Sequence, residues 1–332
     1  MTKIAVLGGG SWGTTLADML CRKGLQVGLW VREKELVDEI RVQGENTWYL
    51  PGIKLSRELL VSSHPAEVMA GSDNFLVVIP CQFMRGVLNS IKDLFPEDPV
   101  VVCASKGIEL ATLKPQSSVI NEALKGKNPR YAILSGPSFA HEVSRKLPTA
   151  VSLGCQDESL GKVLQDTMST PFFRVYANPD YRGVELGGAL KNIMAVAAGI
   201  SDGLEFGHDA RAALITRGLV EMSRLGVALK AREKTFMGLS GMGDLVLTCT
   251  GDLSRNRQVG LEIGRGKTLD DILSHRKTVA EGVKTTESVF LLSRRLGVEM
   301  PITEQVYAVL FENRDPREAV EELMTRELKT EH

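Results

Sequence analysis

The chain has 332 residues, of which 43% are hydrophobic, and its 40 basic and 41 acidic residues give a formal net charge of −1. This length and composition suit about two globular domains, each with its own buried core. The balanced charge provides no basic field for nucleic acid or for an anionic membrane surface, so a bound anion must be held by local geometry.

The first half of the chain alternates apolar runs with helix-like stretches. Most of the runs are rich in Val, Ile or Leu without alternation, which is typical of strands covered on both faces. The predicted strands are residues 3–7, 26–31, 59–62, 75–79, 100–104, 131–134, 150–153 and 172–176, and the predicted helices include residues 14–23, 33–42, 82–94 and 158–168. This order predicts an α/β, doubly wound, mostly parallel sheet with helices on both faces.

The second half has a different pattern, with helical periodicity and no β-rich runs. Predicted helices are the long apolar stretch 184–200 and residues 210–225, 269–273, 285–296 and 318–328, and two Gly- and Ser-rich loops are predicted at 238–243 and 250–256. We therefore expect one domain over residues 1–183 and a mainly α-helical domain over 184–332. The crevice between two such domains is the expected place for chemistry.

A glycine-rich turn follows the first predicted strand and opens the first helix. Residues 8–13 read Gly-Gly-Gly-Ser-Trp-Gly and fit the dinucleotide-binding pattern G-x-G-x-x-G. In that pattern Gly8 permits the tight turn, Gly10 lets the backbone approach a pyrophosphate, and Gly13 lets the helix pack close to the strand. In this context the motif predicts a Rossmann-type domain that binds a dinucleotide, and the alternative is a plain glycine-rich turn.

The end of the second strand bears on the choice of cofactor. About twenty residues past the glycines, an acid suits the ribose 2′-hydroxyl of NAD, whereas an arginine suits the 2′-phosphate of NADP. Here Arg32 is followed at once by Glu33. We expect Glu33 to begin the next helix and point elsewhere, which favours NADPH over NADH. The alternative is a solvated Arg–Glu charge pair.

Polar residues follow later elements of the chain. Lys106 comes just after a predicted strand, at the sheet edge where open α/β sheets bind ligands, and a turn of small residues at 135–140 follows the next strand. Lys191 stands in an apolar helix, and because lysine is rarely buried without a partner, we expect it to face a polar crevice. The alternative is a lysine whose ammonium reaches the surface.

Two further polar groups lie in the predicted helical half. Asp244 follows a glycine-rich turn, where it can be a functional acid or merely a helix cap. Residues 250–257 read Thr-Gly-Asp-Leu-Ser-Arg-Asn-Arg. Ser254 at a predicted helix start, with Arg255 beside it, is typical of a phosphate-binding site, and the alternative is an ordinary polar loop.

The cysteines, the histidines and the N-terminal residues bear on disulfide bonds, metal binding and cellular location. Cys21, Cys81, Cys103, Cys155 and Cys249 form no C-x-x-C pair, and their odd number argues against a disulfide framework. The five histidines form no metal-binding motif, so no metal is expected. The chain enters a strand at once and shows no signal-peptide pattern, so we expect a cytoplasmic protein without an integral membrane segment.

Seven stretches together resemble one family. Residues 7–13, 104–107, 135–140, 185–192, 238–244, 250–257 and 279–282 resemble, in order, the signature stretches of the bacterial NAD(P)-dependent glycerol-3-phosphate dehydrogenases. The resemblance runs from the first strand to the terminal stretch 321–324. It implies a Rossmann-type domain followed by a helical domain, usually in a homodimer.

The resemblance also implies roles for individual residues. Lys191 matches the family's catalytic proton donor and acceptor, and Lys106 and Asp244 match its partners around the reacting oxygen. The implied substrate contacts are Lys106, Gly136, Ser138, Lys191, Asp244, Ser254, Arg255 and Asn256. The implied cofactor contacts, beside the three glycines of the turn, are Ser11, Trp12, Arg32, Tyr49, Lys106, Ala140, Arg255, Val279 and Glu281.

The implied reaction is a reversible hydride transfer between NAD(P)H and dihydroxyacetone phosphate, which yields glycerol 3-phosphate for glycerophospholipid synthesis. Small molecules, not nucleic acid, are then the expected partners. One alternative is a related two-domain dehydrogenase acting on another phosphorylated or carboxylated hydroxy compound. Another is a non-catalytic NAD(P)-binding sensor, against which the joint presence of Lys106, Lys191 and Asp244 argues.

Overall fold

The computed structural model of the chain describes residues 3–274, 281–328 and 330. The chain forms two compact units. The first contains the chain up to Lys106 together with Lys114–Glu185, and the second contains Gly107–Leu113 and the chain from Leu186 onward. The short segment 107–113 therefore belongs to the second unit, although the chain returns to the first unit after it.

The sheet of the first unit confirms the predicted α/β class. The strands are β1 (Lys3–Leu7), β2 (Gln26–Trp30), β3 (Leu60–Ser62), β4 (Asn74–Val77), β5 (Val100–Cys103), β6 (Ile108–Glu109), β7 (Lys114–Pro115), β8 (Arg130–Ser135), β9 (Thr149–Cys155) and β10 (Phe173–Asn178). Eight of them form one sheet in the order β10-β9-β8-β5-β4-β1-β2-β3. Every pair is parallel except β8 with β9, and each of the eight predicted strands matches one strand of this sheet within two residues.

Helices cover both faces of this sheet. They are α1 (Ser11–Arg22), α2 (Lys34–Gln43), α3 (Pro65–Met69), α4 (Met84–Ile91), α5 (Gln116–Ala123), α6 (Ala140–Ser144) and α7 (Glu158–Met168). Along β1, Ile4 and Val6 belong to one buried cluster, whereas Ala5 and Leu7 belong to another. Since successive strand residues point to opposite faces, both faces of the sheet are buried, as the unbroken apolar runs predicted.

The second unit is helical, as predicted. Its helices are the end of α8 (Tyr181–Gly203), α9 (Gly207–Ala228), α10 (Glu233–Phe236), α11 (Asp244–Thr250), α12 (Arg255–Gly264), α13 (Leu269–Ser274), α14 (Glu281–Leu296), α15 (Pro301–Phe311) and α16 (Pro316–Thr325). Helix α8 is long and apolar enough to cross a membrane, but its apolar stretch is entirely buried inside the protein, as in the core helix of a globular domain. The predicted loop at 238–243 is wrong from Leu239 onward, because Leu239–Gly243 forms a π-helical turn that runs into α11.

Helices α8 and α12 touch through their backbones. A Cβ atom on Gly199 of α8 would lie 2.0 Å from the Arg257 carbonyl oxygen, and one on Gly260 of α12 would lie 2.0 Å from the Val196 carbonyl oxygen. Only glycine allows this approach. The contact fixes the start of α12 against the helix that carries Lys191.

We expect Gly199→Ala to lower the free energy of unfolding by about 1–3 kcal/mol, because the added methyl group meets backbone atoms that cannot rotate away. Gly86→Ala in α4 is the matched control, since no atom lies within 4 Å of its Cβ position. That change should raise stability by about 0.4–1 kcal/mol. Urea unfolding of both variants checks the prediction, and equal losses would contradict it.

Candidate functional site

The glycine turn between β1 and α1 has the geometry that its sequence predicts. Gly8 has a φ of +128°, and a Cβ there would lie 2.4 Å from the Val78 carbonyl oxygen. A Cβ on Gly13 would lie 1.9 Å from the Gly8 carbonyl oxygen, so α1 packs directly on the turn. Both positions therefore require glycine, for the reasons given by the dinucleotide pattern.

The space above Gly10 fits a nucleotide phosphate. Gly10 is the N-cap residue of the 12-residue helix α1, and no protein atom lies within 4 Å of its Cβ position. Ser11 and Trp12 form the first turn, and the indole of Trp12 packs against the buried core of the first unit. A helix start with open space at a glycine favours the approach of an anion, so the residues present fit the pyrophosphate of a dinucleotide.

A buried asparagine that the sequence analysis missed holds this turn. Asn46, which has no exposed surface, donates from Nδ2 to the Gly9 carbonyl oxygen at 2.9 Å and to Thr14 Oγ1 at 2.8 Å. Its Oδ1 accepts from the backbone N–H of Tyr49 at 3.1 Å. Asn46 lies in a connection without a recognised motif, so nothing in the sequence pattern marked it.

Arg32 and Glu33 pair with each other at the end of β2. The Arg32 guanidinium donates from Nε and Nη2 to Glu33 Oε1, at 3.0 Å and 2.7 Å. Glu33 is the N-cap residue of α2, but its carboxylate does not point away from Arg32, so that expectation is wrong. The role of Arg32 at the cofactor stays a prediction. The charges of this pair also act on Tyr49. Burial is the main cause that raises the pKa of the Tyr49 phenol, the Glu33 carboxylate raises it further, and the Arg32 guanidinium lowers it.

Four other predicted residues lie at the carboxyl ends of β5 and β8. Lys106 Nζ and Ser138 Oγ both donate to the Gly136 carbonyl oxygen, at 3.4 Å and 3.0 Å. Gly136 has a φ of +149°, and a Cβ there would lie 2.9 Å from the Val151 Cα, so glycine is required. Ala140 begins α6, and its carbonyl oxygen accepts from Thr15 Oγ1 of α1 at 3.3 Å.

The second unit contains a buried lysine–aspartate pair. Lys191 Nζ lies 3.0 Å from Asp244 Oδ1, and the two side chains are 9% and 2% exposed. Lys191 Nζ also donates to Thr248 Oγ1 at 2.6 Å, and Thr248 Oγ1 donates to the Asp244 carbonyl oxygen at 2.6 Å. Lys191 thus has polar partners and is buried, so the alternative of an ammonium that reaches the surface is wrong. That it faces a polar crevice stays a prediction.

The π-helical turn sets the position of Asp244. Asp244 is the first residue of α11, and it follows Ser240 by four residues. A Cβ on Gly187 of α8 would lie 2.6 Å from the Ser240 carbonyl oxygen, so the turn packs against α8 four residues before Lys191. This packing holds the start of α11, where the Asp244 carboxylate pairs with Lys191.

The surroundings of this pair are poorly hydrated. Cys249, next to Thr248 in the chain, is fully buried, and burial raises the pKa of its thiol to about 12, while Lys191 opposes the shift. An ion pair in such surroundings is attracted more strongly than in water. All five cysteines are buried and free.

The start of α12 confirms the predicted N-cap. Ser254 Oγ accepts from the backbone N–H of Arg257 at 3.2 Å, so the loop predicted at 250–256 ends at Ser254, and the exposed Arg255 begins the helix. Asn256 Nδ2 donates to Asn192 Oδ1 at 2.9 Å, and Asn256 Oδ1 accepts from the Gly282 N–H at 3.0 Å.

Asn192 follows Lys191 directly, so the Asn256 contact brings the predicted loop residues close to the lysine helix. Glu281 is the first described residue of α14. The predicted cofactor contact Val279 lies outside the residues that the structure describes.

An ion-pair network that the sequence analysis did not predict stabilises the loop before α12. Arg257 Nε lies 2.8 Å from Asp202 Oδ2 of α8, and its Nη1 lies 3.0 Å from Asp252 Oδ1. The Arg257 guanidinium is thus engaged by carboxylates on both sides. Within residues 3–274, 281–328 and 330, no three His, Cys, Asp or Glu side chains are grouped to hold a metal ion.

Comparison with known proteins gives consistent matches along the chain. The family model described as the N-terminus of NAD-dependent glycerol-3-phosphate dehydrogenase matches residues 3–161, and the model of its C-terminus matches residues 180–321.

Two curated relatives, from Maridesulfovibrio salexigens and Solidesulfovibrio magneticus, are named glycerol-3-phosphate dehydrogenase (NAD(P)+). They are 63% and 61% identical to this chain over 99% of its length and 100% of theirs. A crystal structure of glycerol-3-phosphate dehydrogenase from Coxiella burnetii aligns with a TM-score of 0.94 and 41% identity, over 98% of this chain and 99% of that one.

Proposed function

The chain belongs to the family of NAD-dependent glycerol-3-phosphate dehydrogenases, and from this premise we propose which of its residues carry out the family's reaction. The protein is an NAD(P)-dependent oxidoreductase that interconverts dihydroxyacetone phosphate and glycerol 3-phosphate, a precursor of glycerophospholipids. The observation that carries the residue assignment is the buried pair of Lys191 and Asp244, at 3.0 Å.

Lys191 is the proposed proton donor and acceptor. When bound, the nicotinamide supplies or accepts the hydride at the substrate's second carbon. As dihydroxyacetone phosphate is reduced, negative charge builds on the carbonyl oxygen, and the Lys191 ammonium can give that oxygen a proton. Asp244 balances the buried charge, and Thr248, at 2.6 Å, fixes the direction of Lys191 Nζ.

The start of α12 is the proposed contact for the substrate phosphate. Ser254 caps the helix, Arg255 is its first residue, and Asn256 is held by Asn192. A helix start with a guanidinium beside it suits a dianionic phosphate better than a neutral group. Further proposed substrate contacts in the first unit are Lys106, Gly136 and Ser138. Lys106 Nζ and Ser138 Oγ both donate to the Gly136 carbonyl oxygen.

We expect Arg255→Ala to raise KM for dihydroxyacetone phosphate at least tenfold, because a hydrogen bond to a charged partner contributes roughly 1.5–3 kcal/mol. The unphosphorylated ketone, dihydroxyacetone, should be affected far less. Arg265→Ala is the matched control, since Arg265 is an exposed arginine at the other end of α12. Steady-state kinetics with both ketones checks this, and equal losses for both would show that Arg255 does not hold phosphate.

The proposed nucleotide contacts come from several separate stretches of the chain. The pyrophosphate would be bound by the glycine turn and the start of α1, with Gly8, Gly10, Ser11, Trp12 and Gly13. The other proposed contacts of the nucleotide are Arg32, Tyr49, Lys106, Ala140, Arg255, Val279 and Glu281. NADPH is the preferred cofactor in this proposal, with NADH as the alternative, because Arg32 can contact a 2′-phosphate.

One assay separates this function from its alternatives. NADPH absorbance is followed while the protein is offered dihydroxyacetone phosphate, then other sugar phosphates and keto acids. Oxidation with dihydroxyacetone phosphate alone supports the proposal. Oxidation with another compound would indicate a related dehydrogenase, and nucleotide binding without any turnover would indicate a sensor.

The proposed setting is the cytoplasm, and the proposed assembly is a homodimer. Five free, buried thiols suit a reducing compartment. Met242 of the π-helical turn and Val246 of α11 lie four residues apart, and both are more than 40% exposed, so they offer an apolar face to a second copy. Light scattering should give twice the chain mass of 36.2 kDa, and a monomer at micromolar concentration would contradict the assembly.

A further inference from the structure

Asn46 joins three parts of the first unit through one buried side chain. Its amide donates to the Gly9 carbonyl oxygen of the glycine turn and to Thr14 Oγ1 of α1, at 2.9 Å and 2.8 Å. Its Oδ1 accepts from the backbone of Tyr49 at 3.1 Å. Both Asn46 and Thr14 have no exposed surface, so water cannot replace these bonds.

Only an asparagine-like group satisfies this set of partners. The Gly9 carbonyl oxygen and Thr14 Oγ1 accept from the two N–H groups of Nδ2, while the Tyr49 N–H needs an acceptor. An aspartate would place an acceptor against the Gly9 oxygen, and an alanine would leave buried groups unpaired, which is costly. The connection between α2 and β3 thus depends on the amide of Asn46.

The composition of the glycine turn makes support from a side chain valuable. Gly8, Gly9 and Gly10 follow one another, and glycine has more backbone freedom to lose than any other residue. A loop fixed before the ligand arrives does not have to be ordered at the expense of binding energy. The bond from Asn46 to Gly9 holds the middle of this run.

We propose that Asn46 is a positioning residue for the dinucleotide, which presets both the glycine turn and Tyr49. This inference rests on the proposed nucleotide site in the first unit. Both Nδ2 bonds of Asn46 end on the glycine turn and the start of α1, which would bind the pyrophosphate. The expected effect therefore falls on the part of the ligand that NADPH and NADH share.

The test measures direct binding of NADPH and of NADH by nicotinamide fluorescence, with no ketone present. Asn46→Ala should raise both dissociation constants by about tenfold, with an unchanged ratio between them. With both substrates saturating, kcat should stay within twofold, and so should KM for dihydroxyacetone phosphate. Thr14→Val keeps the side-chain shape but removes both the acceptor of one Asn46 bond and the bond from Thr14 Oγ1 to the Gly9 carbonyl oxygen at 3.3 Å. It should also raise both dissociation constants, and the double variant should be less than additive if the two side chains support the turn together.

Leu88→Ala is the control for simple loss of stability, because Leu88 is fully buried in α4, whereas the hydrogen-bond partners of Asn46 are Gly9, Thr14 and Tyr49. Its melting temperature should fall while both dissociation constants stay at the wild-type value. Wild-type affinity in Asn46→Ala and Thr14→Val, or a change confined to one nucleotide, would overturn the inference. Should Asn46→Ala fail to fold, Asn46→Asp takes its place, because it keeps the acceptor for the Tyr49 N–H and removes the donors to Gly9 and Thr14. Wild-type protein that binds NADPH but does not reduce dihydroxyacetone phosphate would refute the proposed reaction and leave this comparison valid.

Discussion

Lys191→Ala is expected to lower kcat by about 10²–10⁴-fold, the usual contribution of a general acid, while NADPH binding stays close to the wild-type value. The reason is the position of Lys191 in the second unit, where its ammonium pairs with Asp244 at 3.0 Å and is 9% exposed. Removing this group leaves the growing charge on the substrate oxygen without its proton donor. Stopped-flow kinetics at saturating ketone measures the loss, and fluorescence titration measures nucleotide affinity.

Two further variants separate chemistry from packing. Lys191→Met keeps an apolar side chain of similar length, so it should lose as much kcat as Lys191→Ala but less stability. Lys284→Ala removes an exposed lysine of the same unit, which pairs with Glu287 three residues later, and it should leave kcat unchanged. A near-normal kcat in either Lys191 variant would show that another group supplies the proton.

The regular elements were predictable because their signals are local. Residues 100–103 read Val-Val-Val-Cys, and all four are buried in β5. The fingerprint at residues 8–13 required glycine at Gly8 and Gly13 for contacts with backbone atoms, and the structure contains both contacts. In each case the side chain, or its absence, determines the local conformation directly.

What the sequence did not reveal depends on contacts between distant residues. Glycine and serine at 238–243 are typical of a loop, but packing of Ser240 against Gly187 turns the segment into a π-helical turn that presents Asp244. Asn46 and Thr248 are ordinary polar residues until folding brings them to Gly9 and Lys191. Their importance follows from burial, which a single sequence does not show.

The pairing of Arg32 with Glu33 changes what we expect of cofactor choice. The Glu33 carboxylate already occupies two donors of the guanidinium, so a 2′-phosphate must compete with it. The Arg32 side chain is 76% exposed, and a pair this exposed contributes at most about 1 kcal/mol. A dianionic phosphate that accepts charge-assisted bonds, at roughly 1.5–3 kcal/mol, should therefore displace the carboxylate.

Arg32→Ala should consequently reduce the preference for NADPH over NADH by about ten- to hundredfold, while kinetics with NADH barely change. Glu33→Gln provides the opposite test: it removes the competing charge and should increase the NADPH preference by about fivefold at most. The ratio of kcat/KM for the two cofactors in wild type and both variants measures this. A wild-type preference for NADH, or a loss of both cofactors in Arg32→Ala, would instead assign the adenosine end of the site to the Glu33 carboxylate.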